Sequence, residues 1–263
     1  MITSTNNPQV KRIIQLNSKG KARKMARAFV VEGSKMFLEA PVKWIEAIYV
    51  SQTFHENNRE LLIGRDYEIV SDPVFRHISD TMTPQGILCI LKIPEYTLED
   101  LLGGEGRVPF LLVTESIQDP GNLGTMFRTA EGAGVTGILM NHSTVDLFNP
   151  KTIRSTMGSI YRVPFCYTED LGETVTCLQK KGIHFYASHL KGSISYEEEN
   201  YREPCAFLVG NEGRGLSDET AELADACVRI PMEGQLESLN AAMAAGILLY
   251  EGNRQRRKEK GYC

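Results

Sequence analysis

No acidic residue precedes Glu32, whereas Lys11, Arg12, Lys19, Lys21, Arg23, Lys24 and Arg27 all fall in that stretch. Other absences narrow the function classes. The six cysteines (Cys89, Cys166, Cys177, Cys205, Cys227, Cys263) form no C-x-x-C pair. No His–Cys or His–carboxylate cluster has ligand spacing, which argues against a metal site and for reduced thiols in a cytosolic protein. No run approaches the roughly 18 apolar residues a membrane span needs. MITSTNNPQVKR lacks an apolar h-region, so no secretory leader is expected. There is also no Walker loop and no G-x-G-x-x-G after a strand, which disfavours nucleotide-dependent oxidoreduction on a doubly wound sheet.

What is present suits an ordinary globular protein: 263 residues, 42% hydrophobic and 24% charged, enough for one large core or two smaller ones. Net charge is −4, so any attraction to nucleic acid lies in its distribution. The N-terminal basic block can neutralise phosphates, with Lys11, Arg12, Lys21, Arg23, Lys24 and Arg27 as candidate RNA contacts. A second run, Arg254, Arg256, Arg257, Lys258 and Lys260, closes the sequence. Two solvated, frayed termini are the alternative reading of both runs.

PQVKRIIQL reads as a short helix with proline at its start. AFVVEG, WIEAIYVS, YEIVS and GILCIL read as strands, with KMFLEA and PVFRHIS as helices between them. IPEYTLEDLLGGEGRVP reads as a linker. From Pro109 strands and helices alternate: PFLLVTES, helix 121–133, GILMN, helix 149–158, VPFCY, helix 170–181, IHFYAS, AFLVGN, helix 218–224, CVRIP and a final helix from about 238 to 252. Such alternation implies a mostly parallel sheet with helices on both faces, and ligands beyond the carboxyl ends of its strands.

Three polar segments sit at those ends. In ESIQDPGNLGTMFRTAEGAG, Asp119-Pro120-Gly121 reads as a turn and Asn122 as a helix N-cap. Thr125, Arg128 and Gly132 share one face and Met126, Ala130 and Ala133 another. Arg128 either faces the strand-end crevice or a partner, or pairs with a carboxylate such as Glu131. In VGNEGRGLSDE, Gly210, Gly213 and Gly215 permit positive φ and close backbone approach, and Ser217-Asp218 can cap a helix; a plain tight turn is the alternative. In RIPMEGQLESLNAAMAAGILLYEGNRQ, Ser238 is a candidate N-cap, and Asn240 opens an Ala-rich helix whose small side chains allow close packing.

N-L-G-x-x-x-R-T-A-x-x-x-G (Asn122 to Gly134), G-N-E-G-x-G-L-S (Gly210 to Ser217) and I-P-M-x-G-x-x-E-S-L-N (from Ile230, running on to Glu251) together resemble the SpoU/TrmH-type RNA ribose 2′-O-methyltransferases of the SPOUT superfamily. The N-terminal region resembles the small ribosomal-protein-like α/β RNA-binding domain attached to many members. The resemblance implies an N-terminal domain with linker over 1–105, a catalytic domain over 106–263, and a trefoil knot in which the third segment threads an earlier loop. It implies S-adenosylmethionine held by Gly210, Asn211, Ile230, Met232 and Leu239, largely through backbone groups. It implies Arg128 as the catalytic group, with Asn122 and Asn240 orienting it and the ribose, Glu212 fixing the arginine and Ser238 bracing the loop. It also implies a homodimer with the site at its interface. The expected activity is cofactor-dependent methylation of ribosomal RNA in the cytoplasm, without metal or membrane. The alternatives are a tRNA enzyme, a resistance methylase, or an inactive RNA-binding module.

Overall fold

The computed structural model describes residues 1–190, 192, 194–236 and 238–259, the side chains of 258 and 259 apart. Glu237 of the third motif, Lys260 and Cys263 lie outside the described residues. The chain divides into two compact units, residues 1–94 with 146–161, and residues 95–145 with the chain from 162 on.

The first unit holds strands β1 (Ala28–Glu32), β2 (Ile45–Ser51), β3 (Glu68–Val70) and β4 (Ile87–Lys92), and helices α1 (Pro8–Ser18), α2 (Gly20–Ala26), α3 (Ser34–Glu39), α4 (Gln52–Asn57) and α5 (Asp72–Ile78). Asn7 starts α1 by accepting the Gln9 amide, Pro8 supplies a pre-set φ, and Val10, Ile13 and Leu16 turn inward. Each such burial contributes roughly 1.5–3 kcal/mol before entropy. The sheet order is β1-β4-β2-β3. Lying between two antiparallel neighbours, β4 is buried from Ile87 to Leu91, which explains its unbroken apolar run.

The sequence reading did not foresee α2. It forms because Arg23 turns inward. Arg23 is 4% exposed, donates Nε and Nη2 to Asp146 at 2.8 and 2.7 Å, and gives Nη1 to the carbonyls of Leu16 and Asn17. This corrects its assignment as an RNA contact, because a buried guanidinium with its donors filled has nothing to offer a phosphate. Segment 146–161 belongs to this unit through that pair, through the Phe29–Phe148 ring contact, and through the Tyr161 hydroxyl donating to the Met36 carbonyl.

From residue 95 the order is β5 (Phe110–Thr114), α6 (Pro120–Ala133), β6 (Gly137–Asn141), α7 (Pro150–Thr156, packed in the first unit), β7 (Phe165–Thr168), α8 (Leu171–Lys180), β8 (His184–Ser188), β9 (Ile194–Ser195), β10 (Cys205–Val209), α9 (Asp218–Glu222), β11 (Ala226–Arg229) and α10 (Ala241–Glu259). The second unit's seven-stranded sheet runs β7-β6-β5-β10-β8-β11-β9, every neighbouring pair parallel. Leu111 and Val113 of the central strand pack with Val175 and Leu178 of α8. Phe110, on the opposite face, meets α10, where a Cβ on Gly252 would lie 2.7 Å from its ring. Helices therefore cover both faces, as the alternation of elements implied. The linker is partly structural, since Leu101 within it is fully buried in the core.

Helix α10 runs to Glu259, beyond the expected end near 252, because its basic run is anchored. Arg254 bonds Glu251. Arg256 lies 4.3 Å from the Phe110 ring centroid and donates to the carbonyls of Tyr201, Val108, Pro109 and Glu203. No helix among the described residues is long and apolar enough to cross a membrane. The described cysteines are unpaired, and burial pushes the Cys89 thiol up to about 12 and Cys205 to about 11.

Candidate active site

Strands β5 and β10 pair in register, Thr114 opposite Val209, so the segments that follow them leave the sheet side by side. Three groups then lock the first segment. The Glu115 carboxylate accepts the Ser217 amide at 2.8 Å and the hydroxyls of Ser217 and Thr220, each at 2.7 Å. Ser116 takes φ +56°, uncommon for a residue with a Cβ. Its amide donates to Asn141 Oδ1 at 2.8 Å, and its carbonyl accepts from Asn211 Nδ2 at 2.9 Å and Gln118 Nε2 at 3.0 Å. Beneath them Thr114 Oγ1 is buried with no hydrogen-bond partner among the described residues.

The cap of helix α6 lies three residues earlier than expected, and the helix itself starts one residue earlier. Asp119, not Asn122, is its N-cap, accepting the Asn122 amide at 2.9 Å, and Pro120 occupies the first turn instead of a loop. The Asn122 side chain is thereby released for a different task. Glu212 Oε1 accepts Asn122 Nδ2 and the Asp119 amide, and Oε2 accepts the Gln118 amide, all at 3.0 Å. Partial burial pushes Glu212 up, but these donors outweigh it and hold its carboxyl below the ordinary glutamate value. A carboxylate only accepts, so Asn122 must turn its oxygen away. That oxygen receives Asn240 Nδ2 at 3.0 Å, leaving Asn240 Oδ1 to accept the amides of Ala242 and Met243. Asn240 is therefore the cap of α10. Ser238, the expected cap, is exposed and bonds no described residue.

Glu212 thus braces Asn122 and the start of α6, which corrects the expectation that it fixes Arg128. Glu131 is bound to Arg162 through both carboxylate oxygens, so it is not the arginine's partner either. Arg128 is exposed on the stripe with Thr125 and Gly132 and makes no hydrogen bond or ion pair with a described residue. Met126, Ala130 and Ala133 are buried on the packing face.

In the second segment only Gly215 has positive φ, +73°. Gly210 is required for a different reason, since a Cβ there would sit 2.2 Å from the backbone of Gly215 and Leu216. The Asn211 side chain is fully used by the loop itself, accepting from the amides of Gly213 and Arg214 while donating to Ser116. In the third segment Ile230, Met232 and Leu239 are half-buried. Between Pro231 and Leu239 no described residue makes a backbone hydrogen bond to another. Half-buried apolar side chains and open peptide groups fit a ligand with an apolar ring and polar edges. Among the described residues no group of three His, Cys, Asp or Glu side chains could hold a metal ion.

Of the basic candidates in the first unit, Lys11, Lys21 and Lys24 are exposed, and Arg12 pairs with Glu46 at 2.6 Å. Arg27 is exposed but closes α2 in the left-handed region at φ +48°. Glu115, Ser116, Gln118 and Asn141 escaped the sequence reading. The signal for the first three was the polar E-S-I-Q directly after an apolar strand.

Residues 109–250 match the model of the SpoU rRNA Methylase family, and residues 7–89 that of the MRM3-like substrate binding domain. The 23S rRNA (guanosine(2553)-2′-O)-methyltransferase RlmP of Bacillus subtilis is 34% identical over 252 residues, 95% of this chain and 97% of that protein. The AdoMet-bound rRNA methyltransferase of Sinorhizobium meliloti superposes with a TM-score of 0.85 at 33% identity, covering 96% of this chain and 97% of that one. The SpoU methyltransferase AviRb of Streptomyces viridochromogenes, solved with AdoMet, also gives 0.85, at 26% identity over 96% and 100% of the two chains.

Proposed function

The chain belongs to the SpoU rRNA methylase family, and from that premise we propose that it transfers a methyl group from S-adenosylmethionine to a ribose 2′-oxygen of ribosomal RNA. The Bacillus subtilis and Sinorhizobium meliloti proteins, which match nearly end to end, are named ribosomal RNA enzymes, and the N-terminal unit matches a substrate-binding domain. The observation that carries the reading is the Glu212–Asn122–Asn240 chain, which ties together segments 90 and 118 positions apart at the start of the helix that carries exposed Arg128.

Gly210, Ile230, Met232 and Leu239 hold the cofactor, the apolar side chains against its adenine and the open peptides of the described residues 231–236, 238 and 239 at its polar edges. Asn211 contributes by shaping the loop. When bound, S-adenosylmethionine supplies a methyl carbon made electrophilic by its positive sulfur. Arg128 brings the positive charge of its guanidinium. It places an RNA phosphate and stabilises the negative charge that develops on the 2′-oxygen, a role that asks no proton of it. Asn122 and Asn240 fix the wall along which the ribose lies.

Exposed Lys11, Lys21 and Lys24, with Arg12 and Arg27 beside them in sequence, contact RNA phosphates. The protein acts as a cytoplasmic homodimer joined through α6 and α10. Met243 and Tyr250 of α10 are 61% and 50% exposed, and Tyr250 Oη lies against Gly132 of the Arg128 stripe. The return of the chain from β11 at the sheet border to α10, packed on α6 and β10, supports threading of segment 230–240 through the loop after β10.

Arg128→Ala is expected to lower methyl transfer to ribosomal RNA by about 10²–10³-fold, with cofactor affinity in calorimetry nearly unchanged. Loss of cofactor binding in that variant would sink the assignment.

A further inference from the structure

In the first unit a cleft of about 520 Å³ opens between the start of α4, α5 and the turn before β4. Its volume falls in the range of small-molecule sites, roughly 300–1,000 Å³. One wall is tightly built, because Gly86 takes φ +88° and a Cβ there would sit 2.8 Å from both Phe54 Cβ and Ser51 Oγ. Most polar groups around it are held in set directions. Asp72 accepts the Thr53 amide and hydroxyl at 3.1 and 2.8 Å, with lone pairs to spare. Gln85 gives Oε1 to the Ser34 amide at 2.9 Å, leaving its NH₂ for a ligand. Asn58 gives Nδ2 to the Phe54 carbonyl at 3.2 Å, leaving its oxygen. Asn57 is exposed with no bond to a described residue, and Arg76 engages only Nε, weakly, with the Asp72 carbonyl at 3.4 Å.

Amide donors and acceptors and a carboxylate are what the edge of a nucleobase requires, and a guanidinium with its Nη groups open is what a phosphate requires. Sequence-dependent contact with RNA is made chiefly to unstacked nucleotides whose edges are free. None of these side chains takes part in the chemistry assigned to the second unit. We propose that this cleft holds one unstacked nucleotide of the RNA substrate, its base edge on Asp72, Asn57, Asn58 and Gln85 and its phosphate on Arg76. The inference rests on RNA being the substrate.

The test measures binding of labelled single-stranded homopolymer oligoribonucleotides and of 23S rRNA to the full chain at fixed salt. Arg76→Ala and Asn57→Ala, neither of which removes a bond the fold depends on, are compared with Lys92→Ala, an exposed cation at the far end of β4. Arg76→Ala is expected to weaken binding about tenfold or more and to raise KM for ribosomal RNA with kcat kept. Asn57→Ala should weaken it several-fold and Lys92→Ala less than about twofold. Equal losses in all three variants, or none in the cleft variants, would overturn the proposal. Cofactor binding and methyl transfer by the unaltered protein report separately on the enzymatic reading. If those persist while the cleft variants bind normally, only the cleft assignment falls.

Discussion

A carboxylate can only accept, and at Glu212 that asymmetry orders its surroundings. Two backbone amides and one side-chain amide point at it, and their combined pull keeps it ionised below the usual range. The sign of the linkage follows. A depressed carboxyl stabilises the fold above its unfolded value of 4.5, and that contribution is lost as pH falls through the lower folded value. Glu212→Gln, which loses the charge and one acceptor oxygen, is expected to cost about 1–2 kcal/mol at neutral pH. Denaturation midpoints of the two proteins should converge below about pH 4.5, the ordinary value for the group. A gap that persists in acid would show that the charge is not what matters. Sequence alone identified Glu212, Asn122 and Asn240 as a set but misplaced their links. Which atom meets which depends on Asp119 capping α6 first, and Asn122 and Asp119 are both good caps by type.

Among the elements, α2 shows how far a count of charges can mislead. Its basic residues look alike in sequence, but Arg23 is turned inward by a carboxylate 123 positions away, which no local pattern reveals. Asp146→Ala would strand a buried guanidinium, and a loss of about 3 kcal/mol is expected in chemical denaturation. Arg23→Met is expected to destabilise while leaving the salt dependence of RNA binding unchanged. Lys21→Ala and Lys24→Ala should each lower the slope of log affinity against log salt by about 0.7–0.9. An Arg23→Met slope as shallow as theirs would return Arg23 to the RNA surface. The parallel strands were easier to read, since β5 up to Val113 and β10 throughout are apolar, and both are buried on both sides. Strand β9, two residues long, carries no such signal.

At the scale of the whole molecule, alternation of strand and helix foretold a parallel sheet but not its order. Order is decided by which neighbour each crossover reaches, and the step from β6 to β7 runs through α7 in the other unit. The proposed dimer is likewise a matter of surfaces. Met243→Glu, on the exposed side of α10, is expected to shift the protein to monomer in light scattering and to abolish methyl transfer while the fold, followed by circular dichroism, persists. A fully active monomer would remove the partner from the mechanism.

The placement of residues 146–161 carries a consequence for ancestry. The backbone passes between the two units at three places, after 94, 145 and 161. A cut at the first alone would leave Phe148, Ile153 and Tyr161 on the wrong fragment, their apolar surface stripped of cover. Replacing the first unit by a single crossover after residue 94 would therefore strip the cover from residues 146–161 unless that segment changed with it.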